Sequence, residues 1–539
     1  MTPYTATIKS EGRVMSGEIE LLTIEVRRAL DRIAEAHLVV IDGSVAAGKF
    51  AISDSPFFAV GKSIEILLRY GDSPDRRLFT GLVVRQSVSA REGASELRVE
   101  LKGAAFALTR TRRSAVFRDQ RDDEVISALV RGGGLRVGTI DATRVKHREL
   151  VQHHATDWDF ILSRADVNGL VVLAVDGLIS ARSMSAAGTV AARYTYGLDE
   201  IHEFELDLDG GDQWRSVTSC AWDPRASAPP RPATAKPLKI AAGNLNVEAT
   251  AAELGGEQQA LRMPAPLASD ELQAWADARL ARSRLAQLRG RLVVAGDAGL
   301  QPYDRIGLDG VGERFNGVHF VSGVIHRVDQ DGWWTELELG LPPTWFARRP
   351  ELAEAPAGGL LPPATELQLG IVEAYAEDPD GEERVRVRLP DLGPIWARVS
   401  RPDAGEGRGF CFSPEPDDQV IVGFLGGDPR QPVILGALFS AGVAPPTGGA
   451  ITQDNPTRAL VSRSGVRVDF DDQRAALTLA TPKGNQIVID DDAGEITLRD
   501  QNGSTVTLKA DGIALRSAGD LTLEARGKVV LKGMTVDIQ

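Results

Sequence analysis

The chain has 539 residues, 43% of them hydrophobic and 25% charged, with a formal net charge of -14. That length exceeds what one core fills, so about three or four domains are expected, and the apolar fraction excludes disorder for the bulk of the chain. The acidic balance excludes a nucleic-acid partner, which needs clustered Lys and Arg, and two distant cysteines, Cys220 and Cys411, give neither a disulfide framework nor a zinc cage.

The N-terminus, MTPYTATIKS, has no basic region followed by an apolar core, so no secretory signal is expected. Apolar runs such as 170–175 fall well short of the ~20 residues that span a bilayer. Through the first hundred residues, apolar and polar side chains alternate at strand spacing, as in SIEILLRY from Ser63 and LRVELK from Leu97. Turns at Asp42-Gly43, Ser73-Pro74 and Glu92-Gly93 separate these runs, which predicts a β-barrel or a strongly curved sheet.

A helix is expected from Asp122, carrying Val125, Ile126, Leu129 and Val130, and ending at the glycines 132–134. No GK[ST] follows them, so they read as a helix cap and not as a phosphate loop. A second helix follows Thr156, whose hydroxyl can cap it, with Trp158, Ile161, Leu162 and Ala165 on one stripe. Proline-rich residues 223–237 mark a linker or surface loop. The strongest helical pattern runs from Ser269, read as its cap, to Arg289, with Gly290 as the stop and Leu272, Trp275, Ala276, Leu280, Leu285 and Leu288 as its buried face. Strands resume near Val318.

Beyond a second proline-rich stretch, residues 341–363, about five strands between Gly370 and Phe439 fit a small Greek-key barrel of the oligonucleotide/oligosaccharide-binding (OB) type. From Val466 the segments VRVDF, ALTLA, QIVID, EITLR, TVTLK, IALR, LTLE, KVVL and TVDI recur between Gly or Asp turns, about ten residues apart at first and seven or eight at the end. A four-residue strand turns only two side chains inward, so one chain cannot keep water out of so thin a stack. Several chains around one axis can, each supplying a wall of a prism that tapers as the repeats shorten. Val466, Leu477, Ile487, Ile496, Val506, Leu521 and Val529 are expected to line its core, and Arg467, Asp490, Arg499, Lys509 and Glu524 to face water.

WARVSRP from Trp396, GFCFSPEPDDQVIVGF from Gly409 and GDPRQPVILGAL from Gly427 occur in that order. With these segments the chain resembles the VgrG-type spike proteins of type VI secretion and the hub-and-spike proteins of extracellular contractile injection systems and phage tails. Upstream, LFTGLV from Leu78, DWDFI from Asp157, CAWDP from Cys220 and Val324-Ile325-His326 are similar to hub segments of that family. The signature positions it implies are Trp396, Arg398, Gly409, Pro414, Gly423, Gly427, Asp428, Pro429, Pro432 and Gly436. Pro416-Asp417 departs from the family's commoner Pro-x-Gly-Asp turn.

The resemblance implies a mainly β protein: a hub of two β-barrels with inserted helices (1–350), a linker (351–366), the OB barrel (367–442), a second linker (443–463) and an intertwined trimeric β-prism (464–539). It implies a homotrimer that joins a sixfold inner tube to a threefold needle, with baseplate proteins, a PAAR-like tip protein, cargo effectors and a punctured target membrane as partners. No enzymatic activity and no cofactor are expected. The protein is expected to be made in a bacterial cytoplasm and to travel in an assembled, releasable particle. A tail-borne glycan or peptidoglycan hydrolase and a trimeric receptor-binding fibre are the alternatives.

Residues with possible chemistry have plainer readings. His153-His154 reads as a surface turn, and Asp207–Asp212 lacks the glutamate of a calcium loop. The carboxylates Asp471-Asp472 and 490–492 fall at repeat turns, where Asp serves the backbone rather than glycoside chemistry. Arg384, Arg386 and Arg388 lie on one strand with few aromatics, which favours packing against a neighbouring subunit over oligonucleotide binding.

Overall fold

The structure, a computed structural model, describes residues 4–538 apart from 45–47, 92–93, 186–187, 222–230, 239–241, 264–266, 349–362, 391–392, 447–450 and 452. The proline-rich loop 223–237 and the linker 351–366 therefore lie largely outside the described residues. The chain divides into two compact units, residues 1–353 and 354–539.

The alternating N-terminal segments form strands of one 13-stranded sheet. Six of them, Leu21–Ala29, Glu35–Ile41, Ala94–Gly103, Arg76–Arg91, Ser63–Tyr70 and Tyr4–Ser10, are neighbours in that order and enclose Val26, Leu38, Ile66, Phe79 and Leu101. A second set, Ile201–Leu208, Leu288–Ala295, Gly332–Leu339, Gly317–Asp329, Arg305–Asp309 and Val190–Thr195, encloses a separate core of Leu292, Ile306, Val324 and Leu337. The two expected barrels are thus two curved halves of a continuous sheet. The 13-residue strand Gly317–Asp329 is long enough to serve the second core and still pair with Leu21–Ala29 of the first.

Helices Asp122–Gly132 and Asp157–Val167 form where the pattern placed them, and Thr156 Oγ1 accepts the Asp159 amide at 3.0 Å. The helix expected from Ser269 spans Ser269–Leu285 and differs from expectation at both ends. Its N-cap is Ala268, and it stops four residues short of Arg289 because Leu288 opens a strand. Gly290 lies in that strand with φ +155°, and a Cβ there would sit 2.0 Å from the Glu205 carbonyl oxygen, so it permits strand approach and does not stop the helix.

His326 is fully buried where the two halves join, its Nδ1 3.1 Å from Thr335 Oγ1. Burial, helped by the nearby Arg28 charge, pushes its pKa down to about 3 from 6.5. Between those values the unfolded chain binds the proton that the fold refuses. Stability is therefore whole above pH 6.5 and is lost as pH falls towards 3, by up to ~1.4 kcal/mol per pH unit. Thermal unfolding across that range is expected to show a shallower pH dependence for His326→Gln than for the native chain; equal slopes would remove His326 as the cause.

In the second unit, Gln368–Val372, Val385–Leu389, Gly393–Val399, Pro432–Ala437 and Gln419–Phe424 close into a five-stranded barrel around Val387, Leu389, Val420 and Val422. A ladder of seven five-residue rungs follows: Thr457–Val461, Arg467–Asp471, Ala476–Ala480, Gln486–Asp490, Glu495–Arg499, Thr505–Lys509 and Gly512–Arg516. Each rung is antiparallel to the next. The ladder begins inside the segment expected as linker, because Leu460 aligns with Val468 of the second rung. The segments LTLE, KVVL and TVDI form no strands and are exposed in the single chain.

Candidate functional site

The ladder's register sorts its residues by parity. The second and fourth residues of every rung from the second onward lie on one face, in two cross-strand rows. One row is Val468, Leu479, Ile487, Leu498, Val506 and Leu515; the other is Phe470, Leu477, Ile489, Ile496, Leu508 and Ile513. All twelve are apolar. In the single chain this face is open to solvent, with Ile487 and Leu498 each 40% exposed and Ile513 72%. A groove of about 740 Å³ runs along it, walled by residues including Leu479, Ile487, Val506 and Leu521. A continuous apolar face on a one-layer sheet marks an interface, since a lone sheet cannot bury it.

Of the core residues named from the sequence, Leu477, Ile487, Ile496 and Val506 lie in these rows. Val466 and Leu521 line the ends of the groove, and Val529 lies beyond the rungs, exposed. On the third to sixth rungs the expectation names one inward residue and omits its companion two positions away, Leu479, Ile489, Leu498 and Leu508, and it omits both inward residues of the second rung, Val468 and Phe470, and of the seventh, Ile513 and Leu515. The signal was the same alternation carried one step further.

Arg467, Asp490, Arg499 and Lys509 are on the opposite face, and Glu524 is exposed beyond the rungs. Asp490 does not face water as expected. It is 4% exposed, its Oδ1 accepts the Ala493 amide at 2.8 Å, and Arg474 pairs with its Oδ2. The tight turn to the next rung folds its own backbone over the carboxylate.

The signature positions build the barrel rather than a pocket of polar groups. Trp396 and Arg398 lie on Gly393–Val399, where Arg398 is in register with Val433 and pairs with Glu382. Gly427 takes φ +68° in the turn before Asp428, whose carboxylate accepts the Arg430 amide at 2.9 Å and its guanidinium at 2.8 Å. Pro429 sits inside that turn, and Pro432 starts the strand that also holds exposed Gly436. Gly423 is buried in Gln419–Phe424. Gly409 closes a two-residue hairpin, and Pro414 is half-buried in the following loop. Asp417 meets the altered turn with φ +72°, a left-handed conformation that Asp tolerates.

The residues weighed for chemistry are held apart. His154 sits at a bulge of strand Lys146–Thr156, and Asp207 and Asp209 pair with Arg289 while Asp212 pairs with Arg279. Arg384 is tied to Asp378 and Asp380, and Arg386 and Arg388 to Glu373, so acids of the barrel itself occupy these cations. Asp472 pairs with Arg458. Among the described residues no His, Cys, Asp and Glu cluster has metal-site geometry, and no helix is long and apolar enough to cross a membrane.

Residues 1–330 match the family model of the Alg8 N-terminal domain. Residues 368–439 match the type VI secretion system/phage-baseplate injector OB domain, and 476–539 the phage baseplate V C-terminal trimerisation domain. The type VI secretion system spike protein VgrG1c of Pseudomonas aeruginosa is 24% identical over 514 residues, covering 85% of this chain and 65% of that protein. VgrG1a of the same organism is 27% identical over 409 residues, 68% of this chain and 60% of its own. The chain therefore spans less than two thirds of either relative. Among solved structures, the tail protein from Neisseria meningitidis MC58 aligns with 64% of this chain and 98% of itself, at 16% identity and a TM-score of 0.46.

Proposed function

The chain belongs to the VgrG-type spike proteins, with an Alg8 N-terminal domain, and we propose that three copies assemble into the spike of a contractile injection particle. The observation that carries this is the twelve-residue apolar face of the ladder, open in the single chain and matched over 476–539 by a trimerisation domain. Three such walls facing inward bury it on all sides.

The two six-stranded halves of the first unit support an adaptor role. Three chains would bring six similar units to a sixfold inner tube, while the ladder keeps the threefold order of the needle. In this reading the chain performs no chemistry. It receives the thrust of contraction, punctures a target membrane and carries a PAAR-like tip protein, with baseplate proteins and cargo effectors as further partners.

Mass measurement in solution tests the assembly. A trimer is expected at micromolar concentration, slow to dissociate because separation exposes every rung together. A stable monomer under the same conditions would falsify the proposal.

A further inference from the structure

The ends of the rungs carry opposite charge. Along one margin of the polar face lie Arg467, Arg499 and Arg516, on the second, fifth and seventh rungs. Along the other lie Asp471, Asp490 and Glu495, on the second, fourth and fifth, with Lys509 of the sixth as the one cation, cross-strand from Glu495. The two margins are the two ends of the same strands, four residues or roughly 13 Å apart, too far for Arg499 to reach Glu495 on its own rung. Arg467 is paired with Asp469 and Asp490 with Arg474. Arg499 and Glu495 form no ion pair within the chain among the described residues.

Rotation about an axis parallel to the ladder leaves every rung at its height. In a threefold prism the end of one rung therefore meets the opposite end of the same rung on the next copy, a head-to-tail contact that closes on itself. Opposed in this way, the second rung sets Arg467 against Asp471, the fourth Gln486 against Asp490 and the fifth Arg499 against Glu495. The third sets Ala480 against Ala476, the sixth Thr505 against Lys509 and the seventh Arg516 against Gly512. No rung opposes like charges. Reversing one wall about its fifth rung would set Arg499 against Arg499 and Glu495 against Glu495, a repulsion that favours walls running the same way.

We propose that these margins are charge-matched seams between copies of this chain, in which Arg499 pairs with Glu495 of the partner subunit and fixes the rung register of the three walls. The seam rests on the trimeric reading above. The apolar rows supply cohesion, which a slipped assembly retains; the margins make the aligned assembly the preferred one.

A charge swap on the full-length chain tests it. Arg499→Glu and Glu495→Arg each place like charges at all three seams, and each is expected to lower the trimer's melting temperature by about 5 °C. The double variant Glu495→Arg/Arg499→Glu restores opposite charges and is expected to recover most of that loss, and the rescue should shrink in 1 M salt. A native trimer whose double variant melts at the sum of the two single losses overturns the seam and leaves the trimer standing. A monomeric native chain overturns both.

Discussion

Ile487→Asp is expected to abolish the trimer while leaving the N-terminal unit folded. Ile487 lies between Leu479 and Leu498 in its cross-strand row, and 40% of it remains exposed in one chain. A carboxylate there is tolerable in a monomer. In the prism, threefold symmetry brings three carboxylates to one level of a dry core. Each costs several kcal/mol to bury without a partner, and their mutual repulsion adds to this until they protonate. Asp490→Lys has a smaller effect of a different kind. It removes the acceptor of the Ala493 amide and places a second cation beside Arg474, whose side chain is 56% exposed, so a loss of ~1–2 kcal/mol is expected with the trimer retained. Solution mass and thermal melting of the two variants separate these outcomes. Indistinguishable behaviour would mean that Ile487 faces no shared core.

The ladder was legible because its period is two within a rung and about ten between rungs, and alternation of that kind fixes which side chains share a face. Its first rung was not. Thr457–Val461 is followed by the polar turn Ser462–Gly465, and its pairing shows only when Leu460 is seen to align with Val468. The helix starting at Ser269 ran too far in the sequence reading because Leu285 and Leu288 continue its apolar spacing. The helix ends at Leu285 and a strand starts at Leu288, and Gly290 serves a strand contact with Glu205 that no local pattern encodes. Asp490 was misread for a related reason. Aspartate at a turn is usually solvated, but burial here comes from the turn's own backbone and from Arg474, sixteen residues earlier. The two halves of the first unit, each with its own core, agree with the two barrels expected, but strand patterns do not show that one long strand, Gly317–Asp329, joins them.

Deleting residues 457–539 is expected to yield a soluble chain that no longer forms stable trimers. The cut falls before the first rung rather than at Val466, because a truncation at 466 leaves Thr457–Val461 without its only ladder neighbour, Arg467–Asp471, and adds an unpaired strand edge that promotes non-specific association. The N-terminal unit has its own buried cores, and the OB barrel closes on itself, so neither depends on the ladder for backbone pairing. What the deletion removes is the apolar surface that is half-open in one chain, in which each side chain still has about 1 kcal/mol to gain from complete burial. Two rows of six such side chains per copy make the ladder the main source of cohesion, whereas ion pairs at exposed surfaces contribute about 0–1 kcal/mol each. Sedimentation of the truncated and full-length chains at matched micromolar concentration decides the point. A truncated chain that sediments as a trimer and melts like the full-length protein would place the principal clamp in the first unit or the barrel, and the open face of the ladder would then need another occupant.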